Sequence, residues 1–354
     1  MSGTDPGNRV IDGDVERILG SDLPWGDLAG RRVLVTGARG MLGSYVWRTL
    51  LGLNDRSAAG IEVVALVRDI AAATPTFGAA ADRTDLTLVQ GDVSDLDPAL
   101  IDGPLDAVIH GASPARPALH ASNPIGTIRA NVDGTRNMLQ LAVDRGATMF
   151  LTMSSAEVYG AQPADRKLIG ENDFGGFDIL NPRACYSEGK RAAETYCACY
   201  RAQYGLGVRI CRFGHIYGPG MALDDGRVQA DFAAAAVAGR NIVLNSAGTA
   251  VRTYTYVSDA IAGLFTAWLR GGADLAYNIA DKSGLISIRE LAELFARSRP
   301  GLDLQLEFTN PDDSRSYQPS PGQGLDSSRL ESLGWRAQVP PAEGVARMVA
   351  HHLE

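Results

Sequence analysis

A chain of 354 residues, 45% hydrophobic and 21% charged, can bury a large core in one large domain or two. Its formal net charge of −8 and isoelectric point near 5.2 argue against a general binder of nucleic acid or anionic membrane, leaving a small metabolite as the expected partner. No apolar run approaches the ~18 residues of a membrane span, and the N-terminus carries no basic-plus-apolar signal segment. Cys185, Cys197, Cys199 and Cys211 form no metal-ligand spacing with the five histidines, so reduced thiols, no metal and a cytoplasmic location are expected.

Residues 1–30 read as a polar extension with a short helix, in which Val10, Ile11, Val15, Ile18 and Leu19 approach helical spacing and Pro24 ends it. Packing or dimer contacts are its expected role. Arg31 to Thr36 is a short buried strand, followed by Gly37-Ala38-Arg39-Gly40-Met41-Leu42-Gly43 and an apolar helix through Val46, Trp47 and Leu50. Strand, glycine turn and helix together form the setting in which helix N-terminal amides hold a pyrophosphate. Gly37, Gly40, Met41, Leu42 and Gly43 are therefore the expected dinucleotide cradle, although the spacing is Gly-x-x-Gly-x-x-Gly rather than Gly-x-Gly-x-x-Gly.

Ile61 to Val67 is a second strand ending in Arg68-Asp69. In this setting the end of the second strand meets the adenosine ribose, where an acid favours NAD and an arginine accepts a 2′-phosphate. NAD is the expected cofactor, with NADP kept as the alternative because of Arg68. A third strand, Leu86 to Val89, leaves through Gly91-Asp92-Val93, placing Asp92 and Val93 by the adenine. A fourth, Ala107 to His110, leads into Gly111-Ala112-Ser113, small residues where backbone must approach a ligand closely. Asn131-Val132-Asp133-Gly134-Thr135-Arg136-Asn137 opens or lies in a long helix, and the strand before Ser154 is the fifth. Strands alternating with helices give the α/β class, a Rossmann-type doubly wound parallel sheet with its cofactor at the carboxyl ends of the strands.

Ser154 to Lys190 reads as the reacting centre. Tyr186 and Lys190 stand four apart on a helix and share a face, so an ammonium beside a phenol is expected to favour the phenolate. Ser155 follows the apolar run Met149-Phe150-Leu151, where a strand ends and a hydroxyl can face a ligand. A hydroxyl that binds a substrate alcohol, a base that takes its proton and a lysine that tunes the base prepare that alcohol to lose a hydride. Glu157 follows two residues later as a further proton-handling group.

From about Gly218 the pattern loosens into loops separated by helices at Val228–Ala238, Asp259–Leu269 and Ile288–Ala296. The expected organisation is an N-terminal extension (1–30), a dinucleotide-binding Rossmann domain (31–217) and a smaller, mainly substrate-binding C-terminal domain (218–354) interleaved with it. Arg227 and Arg252 are candidates for a diphosphate. Asp224 and Asp225 read as a helix cap before Gly226.

These segments, taken together over most of residues 31–340, resemble the extended short-chain dehydrogenases/reductases that modify nucleotide sugars. The glycine triplet, Asp92, Asn131-Val132-x-Gly134-Thr135, Ser155, Val158-Tyr159-Gly160 and Tyr186-x-x-x-Lys190 fall in family order. Within it the chain looks most like UDP-glucuronate decarboxylases, through Ala112-Ser113-Pro114-Ala115-x-Pro117, Asn123-Pro124-Ile125, Pro182 to Tyr186, Glu188 to Arg191 and Asp225 to Val228. The resemblance implies Ser155, Glu157, Tyr186 and Lys190 as catalytic residues. It also implies that Ala112, Ser113, Asn131, Tyr186 and Lys190 contact the cofactor, and that Ser113, Ser155, His215, Arg227 and Arg252 contact a nucleotide-diphosphate sugar. It further implies a homodimer to which the helix after Tyr186 contributes. A 4,6-dehydratase, a C4 epimerase and a noncatalytic dinucleotide-binding protein are the alternatives. In three places the chain departs from the decarboxylases. Gly322 stands where they carry an arginine, with Arg315 nearby; His215 replaces an asparagine; and Arg68 looks more like the NADP-using GDP-mannose 4,6-dehydratases.

Overall fold

The structure, a computed structural model, describes residues 9–163, 165–273, 275–309 and 324–354. Gly322 and Arg315 lie outside the described residues. In chain order the elements are α1 (Arg9–Leu19), β1 (Arg32–Thr36), α2 (Met41–Ser57), β2 (Glu62–Val67), α3 (Ile70–Phe77), β3 (Leu86–Gln90), β4 (Ala107–His110), α4 (Pro117–Ser122), α5 (Pro124–Asp144), β5 (Met149–Ser155), β6 (Leu168–Ile169) and α6 (Ala184–Tyr204). They continue with β7 (Gly207–Phe213), β8 (His215–Tyr217), α7 (Val228–Val237), β9 (Ile242–Leu244), β10 (Val251–Tyr256), α8 (Val257–Arg270), β11 (Ala276–Ile279), β12 (Leu285–Ser287), α9 (Ile288–Arg297), β13 (Leu306–Phe308), β14 (Gly324–Leu325), α10 (Ser328–Glu331) and α11 (Pro341–His351).

The apolar strand runs pair into one seven-stranded sheet, ordered β11-β7-β5-β4-β1-β2-β3, with every pairing parallel. Helices cover both faces, so the strands read as continuous apolar segments. Alternation along β1 divides the core between the faces: Val33 and Val35 enter one cluster, while Leu34 joins Val64, Leu66, Val108 and Phe150 in the other. β1 pairs with β2 on one side and β4 on the other, and Thr36 lies opposite both Leu66 and His110. The strand order reverses at this point, and a crevice beyond Thr36 and His110 is where such sheets take ligands.

The C-terminal part is threaded through this sheet, since β11 pairs with β7 while β8, β10 and β12 make a separate three-stranded sheet. The N-terminal helix has a packing role. α1 buries Ile11, Val15, Ile18 and Leu19, and the fully buried Asp14 accepts hydrogen bonds from Tyr45 and Tyr256, both at 2.8 Å, and from Arg347 at 2.6 Å. One carboxylate thus joins α1, α2, β10 and α11; burial raises it, and those partners oppose the rise.

Candidate active site

The glycine turn closes on backbone at every step. A Cβ on Gly37, whose φ is +69°, would lie 2.6 Å from the Gly111 carbonyl carbon and oxygen, and one on Gly43 would lie 2.3 Å from the Gly37 carbonyl oxygen. Gly40 precedes α2 in an extended conformation and offers no side-chain cap. The amides of Met41 and Leu42 therefore open at the positive end of the helix dipole. Thr36 ties the two sides of the crevice: its Oγ1 accepts from the amides of Gly111 and Ala112, each at 3.1 Å, and its hydroxyl donates to His110 Nδ1 at 2.8 Å. Burial pushes the His110 imidazole down to about 3, with Lys190 adding, so it is a neutral acceptor.

The other sequence-predicted cofactor residues line the same edge of the sheet. Arg68 is exposed at the end of β2, whereas the neighbouring Asp69 caps α3 by accepting from Ala72 N at 3.0 Å. Asp92 is exposed beyond β3 and accepts from Ser94 N at 2.8 Å, and Val93 is buried against Gly134 of α5. The Ser113 hydroxyl donates to Asn131 Oδ1 at 2.9 Å, and Asn131, lying inside α5 rather than opening it, donates to the Thr127 carbonyl at 2.9 Å.

Ser155 is the last residue of β5, and its hydroxyl oxygen accepts from Glu157 N at 3.2 Å, starting the short turn Ala156–Tyr159. The preceding Ser154 turns away and donates to Glu194 Oε1 at 2.5 Å, so Ser155 is the serine left to the cleft. Glu157 is exposed there. Tyr186 and Lys190 lie in the first two turns of α6, with the Lys190 nitrogen 5.9 Å from the phenol ring centre.

One expectation is corrected here: the lysine does not draw the phenol down. Lys190 is buried and donates to the Met153 carbonyl of β5 at 2.7 Å, and burial pushes it down to about 8, with Glu194 and Cys197 opposing. Burial likewise raises the Tyr186 phenol; a hydrogen bond with Ser155 opposes this, Glu157 adds to it and Arg227 opposes it.

The predicted substrate residues converge from the C-terminal part. Burial pushes the His215 imidazole down to about 3, with Arg252 and then Arg227 adding, which places all three in one electrostatic neighbourhood. The His215 ring lies 5.6 Å from that of Tyr254, and Arg252 donates to the Val251 carbonyl at 2.7 Å. The expected helix cap is not formed. Arg227 holds the capping position of α7 without a side-chain bond, Asp225 accepts from Arg227 Nε and, at 3.0 Å, from Nη2, and Asp224 accepts from Arg116. Arg116 and His120, which sequence reasoning passed over, belong to the site; His120 stacks on Tyr186 with ring centres 4.5 Å apart. Neither residue lies in a motif that carries chemistry on its own.

The profile of the NAD dependent epimerase/dehydratase family matches residues 33–280. The chain belongs to that family. It is accordingly an NAD-dependent enzyme, with the Rossmann-like parallel sheet of its relatives. This NAD dependent epimerase/dehydratase is 34% identical over 323 residues to UDP-glucuronic acid decarboxylase 3 of Arabidopsis thaliana, covering 90% of this chain and 87% of the relative. Against UDP-glucuronic acid decarboxylase 1 of Xenopus tropicalis the identity is 30% over 321 residues, covering 90% and 71%. Among solved structures, a double mutant of dTDP-glucose 4,6-dehydratase from Streptomyces venezuelae with NAD bound superposes with a TM-score of 0.74 at 27% identity, over 91% of this chain and 97% of the other. No helix among the described residues is long and apolar enough to cross a membrane.

Proposed function

We propose that the enzyme decarboxylates a nucleoside-diphosphate uronate such as UDP-glucuronate after oxidising the sugar at C4. The observation that carries this reading is Glu157, an exposed carboxylate one short turn from Ser155 and within electrostatic reach of Tyr186. The decarboxylases named above, similar over nine-tenths of the chain, support it.

NAD fits the glycine cradle, where the uncapped α2 amides would meet its pyrophosphate and no Cβ intrudes, and it would supply the acceptor for the C4 hydride. Gly37, Gly40, Met41, Leu42, Gly43, Arg68, Asp92, Val93, Ala112, Ser113 and Asn131 would hold the cofactor, and Lys190 its nicotinamide ribose. Tyr186 takes the proton of the C4 hydroxyl, and Ser155 hydrogen-bonds the same oxygen. The 4-ketone turns the C6 carboxylate into that of a β-keto acid. The C5–C6 bond then breaks, carbon dioxide leaves, and the electron pair passes into a C4–C5 enolate. Glu157, exposed to solvent, passes a solvent proton to C5, and the C4 ketone then takes back the hydride while Tyr186 returns its proton to the C4 oxygen, so that carbon dioxide is the only net loss. Arg227 and Arg252, flanking His215, bind the diphosphate, with Ser113 reaching the sugar. We assign the enzyme to the cytoplasm as a homodimer built partly on α6, with residues 31–217 mainly holding cofactor and 218–354 mainly holding substrate.

Mass spectrometry of the purified enzyme incubated with NAD and UDP-glucuronate, UDP-glucose, dTDP-glucose or GDP-mannose tests the reading. A product lighter by carbon dioxide, from the uronate alone, is expected. The 27%-identical dehydratase structure favours 4,6-dehydration as the second reading, and loss of water from a hexose would establish it instead. Glu157→Gln should slow product formation, which waits on the C5 proton, by about tenfold or more while leaving the first appearance of reduced cofactor near its wild-type rate. Equal slowing of both steps would remove Glu157 from its role.

A further inference from the structure

α4 has only six residues, and none of them is buried. Side-chain and backbone contacts hold it in place. Arg116, at its N-terminal cap position, bonds both oxygens of Asp224 at 3.1 and 3.0 Å across the cleft. Near its other end, His120 lies 2.9 Å from the Pro114 carbonyl through Nε2, which therefore carries the proton and donates. The Cys185 thiol, next to Tyr186 in the chain, donates to the His120 carbonyl at 3.7 Å. These contacts lay the imidazole nearly flat on the Tyr186 ring, with planes 14° apart and centres 4.5 Å apart. Burial lowers the imidazole's proton affinity, with the Pro114 bond and Glu157 opposing and Arg183 adding. The ring resting on the phenol is neutral at ordinary pH, offering an apolar face and no competing charge.

We propose that His120 is the positioning residue of Tyr186, covering one face of the phenol so that its hydroxyl stays aimed at Ser155 and at the sugar hydroxyl bound there. The proposal rests on the reading of Tyr186 as the proton acceptor. An aromatic ring fixed against a flat partner loses the swing about its side-chain torsions that would carry the hydroxyl off its target. Small displacements of a reacting group are costly in rate.

The full-length enzyme with NAD and UDP-glucuronate provides the test. His120→Ala should lower kcat about tenfold or more with KM within about threefold, and His120→Phe should restore kcat to within about threefold of wild type. A second readout needs no substrate: ultraviolet titration of the phenolate, with Tyr186→Phe as the blank. Ser155, Glu157, Arg227 and Lys190 face the phenol unchanged in both His120 variants. Uncovering the ring should therefore bring its titration down in His120→Ala, by relief of burial, and leave it high in His120→Phe. A lowered phenol pKa together with a lowered rate is the signature of lost positioning. Wild-type kcat and titration in His120→Ala, or equal loss of kcat in both variants, would overturn the proposal. If the wild-type enzyme converts no nucleotide sugar, the reaction assigned above fails, and the titration alone decides whether His120 covers Tyr186.

Discussion

Tyr186→Phe should lower turnover by about a hundredfold to ten-thousandfold, the range that a positioned acid–base group supplies, while NAD affinity stays within about threefold. The substitution removes one oxygen. The ring remains on His120 and beside Lys190, and the Lys190 bond to the Met153 carbonyl does not involve the phenol, so the cofactor cradle has no reason to move. Burial holds the phenol above its ordinary value, and the Ser155 bond and the Arg227 charge lean the other way. Because the proton acceptor must be deprotonated, wild-type activity rises with pH across the interval in which the phenol of the loaded enzyme ionises. The Phe variant should lose that limb as well as its rate. Product formation followed by mass spectrometry across pH, with NAD binding by fluorescence quenching, reads both. Turnover within about tenfold of wild type, or an unchanged alkaline limb, would remove Tyr186 from the base role.

The elements that depend on local pattern were legible in the chain itself. β4 runs from Ala107 to His110 as its apolar run does, β2 begins one residue after Ile61, and the glycine turn falls between a buried strand and an apolar helix because pyrophosphate-sized anions need that junction. Five of the seven parallel strands stood out as apolar runs buried on both faces, whereas β7 and β11, which complete the sheet beyond β5, were not read from the sequence. The pairings that tertiary packing alone creates were not legible. Spacing puts Tyr186 and Lys190 on one helix face, but it does not say that the Met153 carbonyl of β5 stands where the ammonium arrives. Asp224 and Asp225 precede α7 as caps do, yet Arg116 from the distant α4 segment claims one and Arg227 the other. His120 reaches Tyr186 only because α4 folds back over α6, and a lone histidine in a short helix carries no periodic signal.

Gly43→Ala tests the other half of the site, where shape rather than charge decides. A methyl at this position would meet the Gly37 carbonyl oxygen at 2.3 Å, its carbon at 2.8 Å and the Ala38 Cα at 2.9 Å, all of them backbone that no rotamer change can move. Gly37 cannot retreat, because its own Cα faces the Gly111 carbonyl and the Ala112 amide, which Thr36 fixes in place. Its carbonyl also accepts the Gly40 amide at 2.9 Å. The turn must therefore open and tilt the α2 amides away from the pyrophosphate, at about 1–3 kcal/mol by analogy with overpacked interiors. Each 1.4 kcal/mol is tenfold in affinity, so NAD should bind roughly ten- to a hundredfold more weakly. Circular dichroism should report a folded chain, since the clash is confined to the Gly37–Ala38 turn and involves no strand pairing of the sheet. NAD titration of wild type and variant measures the effect. A dissociation constant within about threefold of wild type would mean that the glycine turn is only a tight connection and that the pyrophosphate is held elsewhere.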